Sequence, residues 1–497
     1  MRVLILSAKT GGGHMRAAQA LEEVIKDKDS QNEVITIDGL EYVNHYFNKA
    51  VVEGYKFSAT KLPKMYGILY RASNQDSGTY KLVQRTNSHF AKKFVPLLAD
   101  FRPDVIVSTH PFMSIMVSRL REKNITNIPL ISIITDFAPH AAYINPCVSE
   151  YIVSSEQMVD ALEELGVERS HVHPVGIPIP PIFFEHDEER DVHLKEMGFD
   201  PEKKTVLVMA GSFGVTDILK IYENLNDIDL DFQIIVITGR NQKLFNAFNT
   251  IINNTPEMRV GDIQVNFEVH DEPLRRDSKL RLTKATKLIY FTDEVHKYMH
   301  IADLIITKPG GLTVTESLAS CLPMVLFRGI PGQETDNTEY LTANNLAVSI
   351  QKETTEDKLR NMLHEKKKSN VGETIYNLLK YPEKLRSMKE SCSRLNNKDS
   401  AYNVYDIMKR AADEMTEPKY LMTPDDIELM TDEAEAERLI RDFEEVIRKY
   451  SGEDEEFALP DDNDGEYEFE DKGYRFIDMM YQNFKKIRAE HKKTGGG

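Results

Sequence analysis

Two short polar segments, residues 308–316 and 331–337, carry side chains suited to hold a nucleotide and a sugar. The first follows the apolar residues 304–307 and predicts a glycine loop that opens a helix, where backbone N–H groups favour phosphate. A carboxylate there, Glu316, would repel phosphate and suits a neutral diol such as a ribose. The second segment clusters amides and carboxylates, which suit a hydroxyl-rich ligand. The residues predicted to bind the nucleotide and the sugar are Lys308, Gly310, Gly311, Thr313, Glu316, Gln333, Glu334 and Asn337.

A third segment, residues 8–14, reads Ala-Lys-Thr-Gly-Gly-Gly-His and precedes a predicted helix over residues 14–27. The dipole at a helix N-terminus disfavours a charged imidazole, so His14 is a candidate neutral base. The alternative to a catalytic role is that the three glycines simply form a tight turn before an ordinary helix. The dinucleotide-binding fingerprint is excluded, because its third spaced glycine is missing.

Strands and helices alternate around these segments and predict an α/β fold with doubly wound parallel sheets. Residues 2–7 and 33–38 form the first two predicted strands, and residues 288–294 form a later one that enters a helix. The strand that begins at Lys204 is the first of the second domain. That strand meets a glycine turn whose N–H groups can face a diphosphate, formed by Gly211, Ser212, Phe213 and Gly214. Two further strand ends place His110, Thr135, Asp136, Phe137 and His140 where open sheets bind ligands.

The motif Lys-Pro-Gly-Gly-Leu-Thr-Val-Thr-Glu at residues 308–316, followed by Pro-Gly-Gln-Glu at 331–334, resembles the donor half of the diacylglycerol sugar transferases. These are the processive diacylglycerol glucosyltransferases and monogalactosyldiacylglycerol synthases of glycosyltransferase family 28. The resemblance covers roughly residues 1–410. It implies a GT-B fold, with two Rossmann-like domains facing a cleft, a UDP-sugar donor, a diacylglycerol acceptor and no metal or other cofactor.

The resemblance also implies roles for single residues. His14 would be the general base, with Gly12 and Gly13 beside the acceptor, and Phe291 and Thr292 would hold the uracil. Arg240 either faces the nucleotide or is a solvated loop arginine. Asp136 and His140 either form a turn and a helix cap, or they orient His14 or contact the acceptor. The family often has a tryptophan shortly afterwards, which this chain lacks throughout.

Residues 45–95 combine nine basic residues and two acidic ones with many aromatic side chains. This mixture suits nucleic acid or a membrane surface, although some of the aromatic residues must pack a core. No RNA-binding signature or zinc finger is present, so we exclude nucleic acid as a partner. The hypothesis is that an anionic membrane binds Lys56, Lys61, Lys64 and Arg71.

The net charge of −18 arises in the C-terminal part of the 497-residue chain. Residues 413–471 contain 24 acidic and five basic residues, and residues 472–493 reverse the sign with an amphipathic pattern. That last segment is either an interfacial helix or a helix docked on the protein. Three scattered cysteines, the absence of a signal peptide and the lack of a long apolar run predict a cytoplasmic protein. The membrane-lipid acceptor that the resemblance implies predicts a peripheral location on the inner face of the membrane.

The predicted organisation has six parts. They are an N-terminal acceptor domain (1–176), a linker (177–190), a UDP-sugar domain (191–398), a helix crossing back to the N-terminal domain (399–412), an acidic tail (413–471) and a basic amphipathic helix (472–497). Residues 253–287 are an insertion without an assigned role.

The predicted activity is an inverting transfer of a hexose from a UDP-sugar to diacylglycerol. Glucose, galactose and N-acetylglucosamine donors are not separated by the sequence. The alternatives are a polyprenyl-linked sugar acceptor, or a regulatory protein that binds a UDP-sugar without turnover. We discount a metal at the acidic residues 227–231, which follow a helix end, and a zinc pair at His296 and His300, which has no third ligand.

Overall fold

The protein is described by a computed structural model over residues 1–9, 12–43, 90–185, 189–209, 217–253, 283–327, 332–350, 370–395 and 397–415. The chain forms two compact units. The first takes its described residues from Met1–Pro178, Ile330–Gln333 and Asp399–Gly497, and the second takes them from Ile179–Gly329 and Glu334–Lys398.

The first unit contains a six-stranded parallel sheet in the order β2-β1-β3-β4-β5-β6. Its strands are β1 (Arg2–Ser7), β2 (Glu33–Asp38), β3 (Val105–Ser108), β4 (Leu130–Ile133), β5 (Glu150–Ile152) and β6 (Val172–His173). Its helices before residue 178 are α1 (Gly13–Lys28), α2 (Gly39–Val43), α3 (Val95–Phe101), α4 (Pro111–Glu122) and α5 (Glu156–Glu164). The strand order reverses between β1 and β3, which creates a switch point where open α/β sheets bind ligands.

The second unit contains a parallel sheet in the order β12-β11-β10-β7-β8-β9. Its strands are β7 (Lys204–Met209), β8 (Phe232–Ile237), β9 (Thr286–Ile289), β10 (Leu304–Thr307), β11 (Met324–Leu326) and β12 (Ala347–Ser349). Its helices are α6 (Arg190–Glu196), α7 (Asp217–Asn226), α8 (Gln242–Asn253), α9 (Val295–Ile301), α10 (Gly311–Ala319), α11 (Gln333–Ala343, whose first residue groups with the first unit), α12 (Asn370–Lys380) and α13 (Pro382–Arg394). The switch point of this sheet lies between β7 and β10. The predicted α/β class with two doubly wound sheets is confirmed.

The last described helix, α14 (Ser400–Asp413), packs within the first unit. Its buried Val404 and Met408 share a core cluster with Leu21 and Ile25 of α1. Its first residue, Ser400, donates a hydrogen bond of 2.8 Å to the carbonyl oxygen of Gly176. The apolar face of α14 therefore covers the helix that carries His14.

One predicted strand is misplaced. The sequence favoured a strand over residues 288–294, but β9 ends at Ile289 and α9 begins at Val295. The Thr292 hydroxyl accepts a 3.0 Å hydrogen bond from the N–H of Glu294, which turns the chain toward the helix. β9 lies at the sheet edge and is only partly buried, so its first residues can be polar. The apolar residues of the sequence begin only at Leu288, and they therefore do not indicate where the strand starts.

Candidate functional site

The backbone before α1 adopts a conformation that favours glycine. Gly12 has φ 88° and ψ −19°, in the left-handed region, and it caps the helix that begins at Gly13. A Cβ at Gly12 would meet no heavy atom within 4 Å, so the demand for glycine comes from the backbone angle alone. This turn follows β1 at the switch point of the first sheet and places His14 in the first turn of α1.

The ring of His14 is oriented by two oxygen atoms from neighbouring strand ends. Its Nδ1 lies 2.7 Å from the carbonyl oxygen of Thr109, which follows β3, and 3.0 Å from the hydroxyl oxygen of Thr135, which follows β4. A carbonyl oxygen can only accept a hydrogen bond, so we assign the ring proton to Nδ1. Nε2 then carries the lone pair and is the nitrogen able to accept a proton.

The electrostatic surroundings keep this ring neutral. Burial lowers the pKa of His14 from 6.5 to about 4, although the hydrogen bond with the Thr109 backbone acts in the opposite direction. The ring of His110 stands edge-on at a centroid distance of 4.7 Å. Burial, and to a smaller extent the neighbouring His14, lower the pKa of His110 well below its ordinary value. At pH 7 both imidazoles are therefore uncharged.

Asp136 and His140 lie in the loop after β4, and both are buried. Gln333, which groups with the first unit, donates a hydrogen bond to the Asp136 carboxylate. The Nδ1 atom of His140 accepts a 3.1 Å hydrogen bond from the N–H of Ala142 and so caps the short 3-10 turn Ala141–Tyr143. For His140 the structure therefore shows a turn cap, while contact with an acceptor stays a prediction.

At the switch point of the second sheet, the loop after β10 is tied to α11. Lys308 Nζ donates to Oε1 of Glu334 at 3.0 Å, and both side chains are largely buried. Asn337, which is fully buried, donates from Nδ2 to the carbonyl oxygen of Pro309 at 3.0 Å. The two polar segments that the sequence singled out thus contact each other directly.

Helix α10 begins in the same loop and carries the buried carboxylate of Glu316. Gly310, its N-cap, has φ −78° and ψ 133°, angles open to any residue. A Cβ on Gly310 would meet only Glu334 Oε1, at an ordinary 3.9 Å. The fold therefore does not require a glycine here, whereas close approach of a ligand to the backbone would. The carbonyl oxygens of Gly311 and Thr313 accept hydrogen bonds from hydroxyls one turn later in the helix.

Phe291, predicted to hold the uracil, and Arg240, a candidate for the nucleotide, lie together beyond the ends of β9 and β8. The guanidinium carbon of Arg240 stands 4.4 Å from the centroid of the Phe291 ring, a cation–π contact. The hydroxyl of Thr292 accepts the N–H of Glu294 in the turn before α9. These residues and the loop at Lys308 all follow carboxyl ends of strands in the second sheet.

Several predicted residues lie outside the described residues. They are Gly211, Ser212, Phe213 and Gly214 of the diphosphate turn, Lys56, Lys61, Lys64 and Arg71 of the basic segment, and the tail from residue 416. Within the described ranges, no group of three or more His, Cys, Asp or Glu side chains could hold a metal ion. Likewise, no helix in that part of the chain is long and apolar enough to cross a membrane.

Sequence reasoning missed Thr109, which follows β3 immediately. It contacts the His14 ring through its main-chain carbonyl, and any residue supplies such a group, so residue type gave no signal. The position of Thr109 was a signal, because this residue lies at a strand end beside the switch point.

Comparison with known proteins agrees with this architecture. Residues 14–179 match the family model of monogalactosyldiacylglycerol (MGDG) synthase, and residues 205–410 match the glycosyltransferase family 28 C-terminal domain. A processive diacylglycerol beta-glucosyltransferase of Bacillus pumilus is 26% identical over 420 residues, covering 84% of this chain and 97% of the relative. The enzyme of the same name from Bacillus subtilis is 26% identical over 419 residues, covering 84% and 96%.

Among solved structures, MurG of Acinetobacter baumannii shares the fold. Its TM-score is 0.50 at 13% sequence identity, and the match covers 82% of this chain and 99% of that one. The GT-B class predicted from the sequence is confirmed. With a monogalactosyldiacylglycerol synthase domain followed by a family 28 C-terminal domain, the chain belongs to the diacylglycerol sugar transferases and is a glycosyltransferase.

Proposed function

We propose that this glycosyltransferase moves a hexose from a UDP-sugar to the hydroxyl group of diacylglycerol, with inversion at the anomeric carbon. The observation that carries the proposal is the His14 ring, whose Nδ1 faces the Thr109 carbonyl and whose Nε2 is left as a neutral base. Both bacterial relatives are named diacylglycerol glucosyltransferases, which supports the acceptor.

In the proposed reaction the acceptor oxygen attacks the anomeric carbon as His14 Nε2 takes its proton. The bond from that carbon to the diphosphate oxygen breaks, and UDP leaves with the bonding electron pair. A positioned general base contributes about 10²–10⁴-fold to such a step. The N-terminus of α10 and the ammonium of Lys308 stabilise the negative charge that develops on the diphosphate.

The remaining donor contacts follow from the second sheet. Glu316 holds the ribose hydroxyls, and the turn at Phe291 and Thr292 holds the uracil with Arg240 beside it. The sugar is held by Gln333, Glu334 and Asn337, and the diphosphate by the turn at residues 211–214. These contacts use only protein groups, and the proposed reaction needs no metal ion.

The basic and aromatic segment is proposed as the membrane contact. Each lysine or arginine near an anionic bilayer contributes about 1 kcal/mol to binding. Glutamate at Lys56, Lys61, Lys64 and Arg71 should therefore abolish flotation with vesicles that contain anionic lipid. Binding equal to that of the unaltered chain would refute this role.

The test of the activity measures UDP release from UDP-glucose, UDP-galactose and UDP-N-acetylglucosamine, with and without diacylglycerol vesicles. One donor should turn over only with diacylglycerol, and His14→Ala should lower the rate at least about 100-fold. His171→Ala, a half-exposed histidine at the edge of the same sheet, is the matched control and should leave the rate unchanged. Release without an acceptor would indicate a hydrolase, and binding without turnover would indicate a regulatory protein.

A further inference from the structure

The His14 ring has no carboxylate among the described partners of Nδ1. Those partners are two neutral oxygens, the Thr109 carbonyl at 2.7 Å and the Thr135 hydroxyl at 3.0 Å. A histidine base is commonly oriented by an ionised carboxylate at this nitrogen. Here two neutral oxygens take the place of the carboxylate, and they determine how well the protonated ring is stabilised.

Both threonines are fixed in place. Thr109 and Thr135 are buried. The Thr109 hydroxyl lies 2.8 Å from the Ser7 hydroxyl and 3.1 Å from the carbonyl oxygen of His14. The end of β1, the end of β3 and the first turn of α1 are thereby joined by one hydroxyl, which limits how far the His14 backbone can move relative to the sheet.

The hydroxyl of Thr135 has a defined role in this arrangement. With the Nδ1 proton directed at the Thr109 carbonyl, the Thr135 oxygen is a second acceptor for the same N–H. When Nε2 gains a proton, positive charge spreads over both ring nitrogens, and hydrogen bonds from a charged donor strengthen. The oxygen of Thr135 therefore stabilises the imidazolium more than the neutral ring.

We propose that Thr135 is a positioning residue for His14, which shares the Nδ1 proton with the Thr109 carbonyl and stabilises the ring after it has taken the acceptor's proton. This inference rests on the proposed role of His14 as the base. A titratable group that contacts the ring is His110, at the N-terminus of α4, and burial lowers its pKa well below the ordinary value.

The test follows the His14 ring by ¹⁵N NMR, with its signal assigned by His14→Gln. Thr135→Val removes the oxygen while keeping the side-chain shape, and it should lower the pKa of His14. Thr135→Ser should restore that pKa. If valine disturbs folding, Thr135→Ala removes the same oxygen and serves as the second variant. Thr126→Val removes a buried hydroxyl that accepts from the Ile128 N–H, and this control should leave the His14 pKa unchanged.

A raised His14 pKa in Thr135→Val would overturn the proposal, because it would mean that the hydroxyl donates to an unprotonated Nδ1. An unchanged pKa would overturn it as well. In the transfer assay, kcat should fall about tenfold with an unchanged KM for the UDP-sugar, and serine should recover it. Because the NMR titration needs no turnover, it still decides the hydrogen bond if the chain proves not to be a diacylglycerol transferase.

Discussion

Lys308 and Glu334 form a largely buried ion pair, Nζ to Oε1 at 3.0 Å, that joins the loop after β10 to the first turn of α11. The pair connects the segment proposed to hold the diphosphate with the segment proposed to hold the sugar. A ligand contacting either residue would therefore affect the placement of the other.

Removing one member of this pair should destabilise the second unit. Lys308→Met leaves the Glu334 carboxylate buried without its cation, and we expect a loss of about 3 kcal/mol in the free energy of unfolding. Urea denaturation measures this loss. The matched control is Lys26→Met, which breaks the more exposed Lys26–Glu22 pair in α1 and should cost at most about 0.5 kcal/mol. Equal losses of unfolding free energy in the two variants would show that the buried pair stabilises the fold no more than the exposed pair.

Alanine should have opposite effects at two glycines. Gly12→Ala places a side chain at φ 88° and should cost about 1–2 kcal/mol of stability, although its Cβ meets no neighbour. Gly310→Ala, at φ −78°, should leave stability unchanged within about 0.5 kcal/mol. Its Cβ would instead stand where the diphosphate approaches the backbone, so the affinity for UDP should fall about tenfold.

Urea denaturation and calorimetric titration with UDP separate these effects. Full UDP affinity in Gly310→Ala would argue against close backbone contact with the diphosphate. Unchanged stability in Gly12→Ala would mean that the turn before α1 relaxes at little cost.

Stability should depend on pH through His14. Its pKa is about 4 in the folded protein and 6.5 in the reference state, so the unfolded chain binds more protons between these values. The free energy of unfolding should therefore fall as the pH falls through this window, and His14 should account for about 2 kcal/mol of the loss between pH 7 and pH 5. His110 acts in the same direction.

The comparison is urea denaturation at pH 7 and pH 5 for the unaltered chain and for His14→Gln. The variant should lose less stability on acidification, because one partly buried group no longer titrates. Parallel losses in both proteins would show that His14 is not held neutral by burial.

The sequence predicted the strands well where they are central and apolar, as at Arg2–Ser7 and Leu304–Thr307, because buried parallel strands are almost continuously hydrophobic. It misplaced both ends of the edge strand β9, which begins with the partly buried Thr286 and the exposed Lys287. Glycine and polar motifs located the loops at His14 and Lys308.

The contacts inside those loops could not be predicted in the same way. No residue pattern indicated that Glu334 would pair with Lys308 or that Asn337 would bind the Pro309 carbonyl, since both contacts depend on where α11 packs. The orientation of the His14 ring depends on the main chain of Thr109, 95 positions away. Residue type therefore identified the segments, and packing determined the partners.

Inverting transfer to diacylglycerol can be tested through the anomeric configuration of the product. The chain should be incubated with diacylglycerol vesicles and whichever UDP-α-sugar it turns over, and the glycolipid analysed by proton NMR. A β-linked sugar on the diacylglycerol hydroxyl is predicted. An α-linked product, or release of UDP without a glycosylated lipid, would rule out an inverting transfer to diacylglycerol.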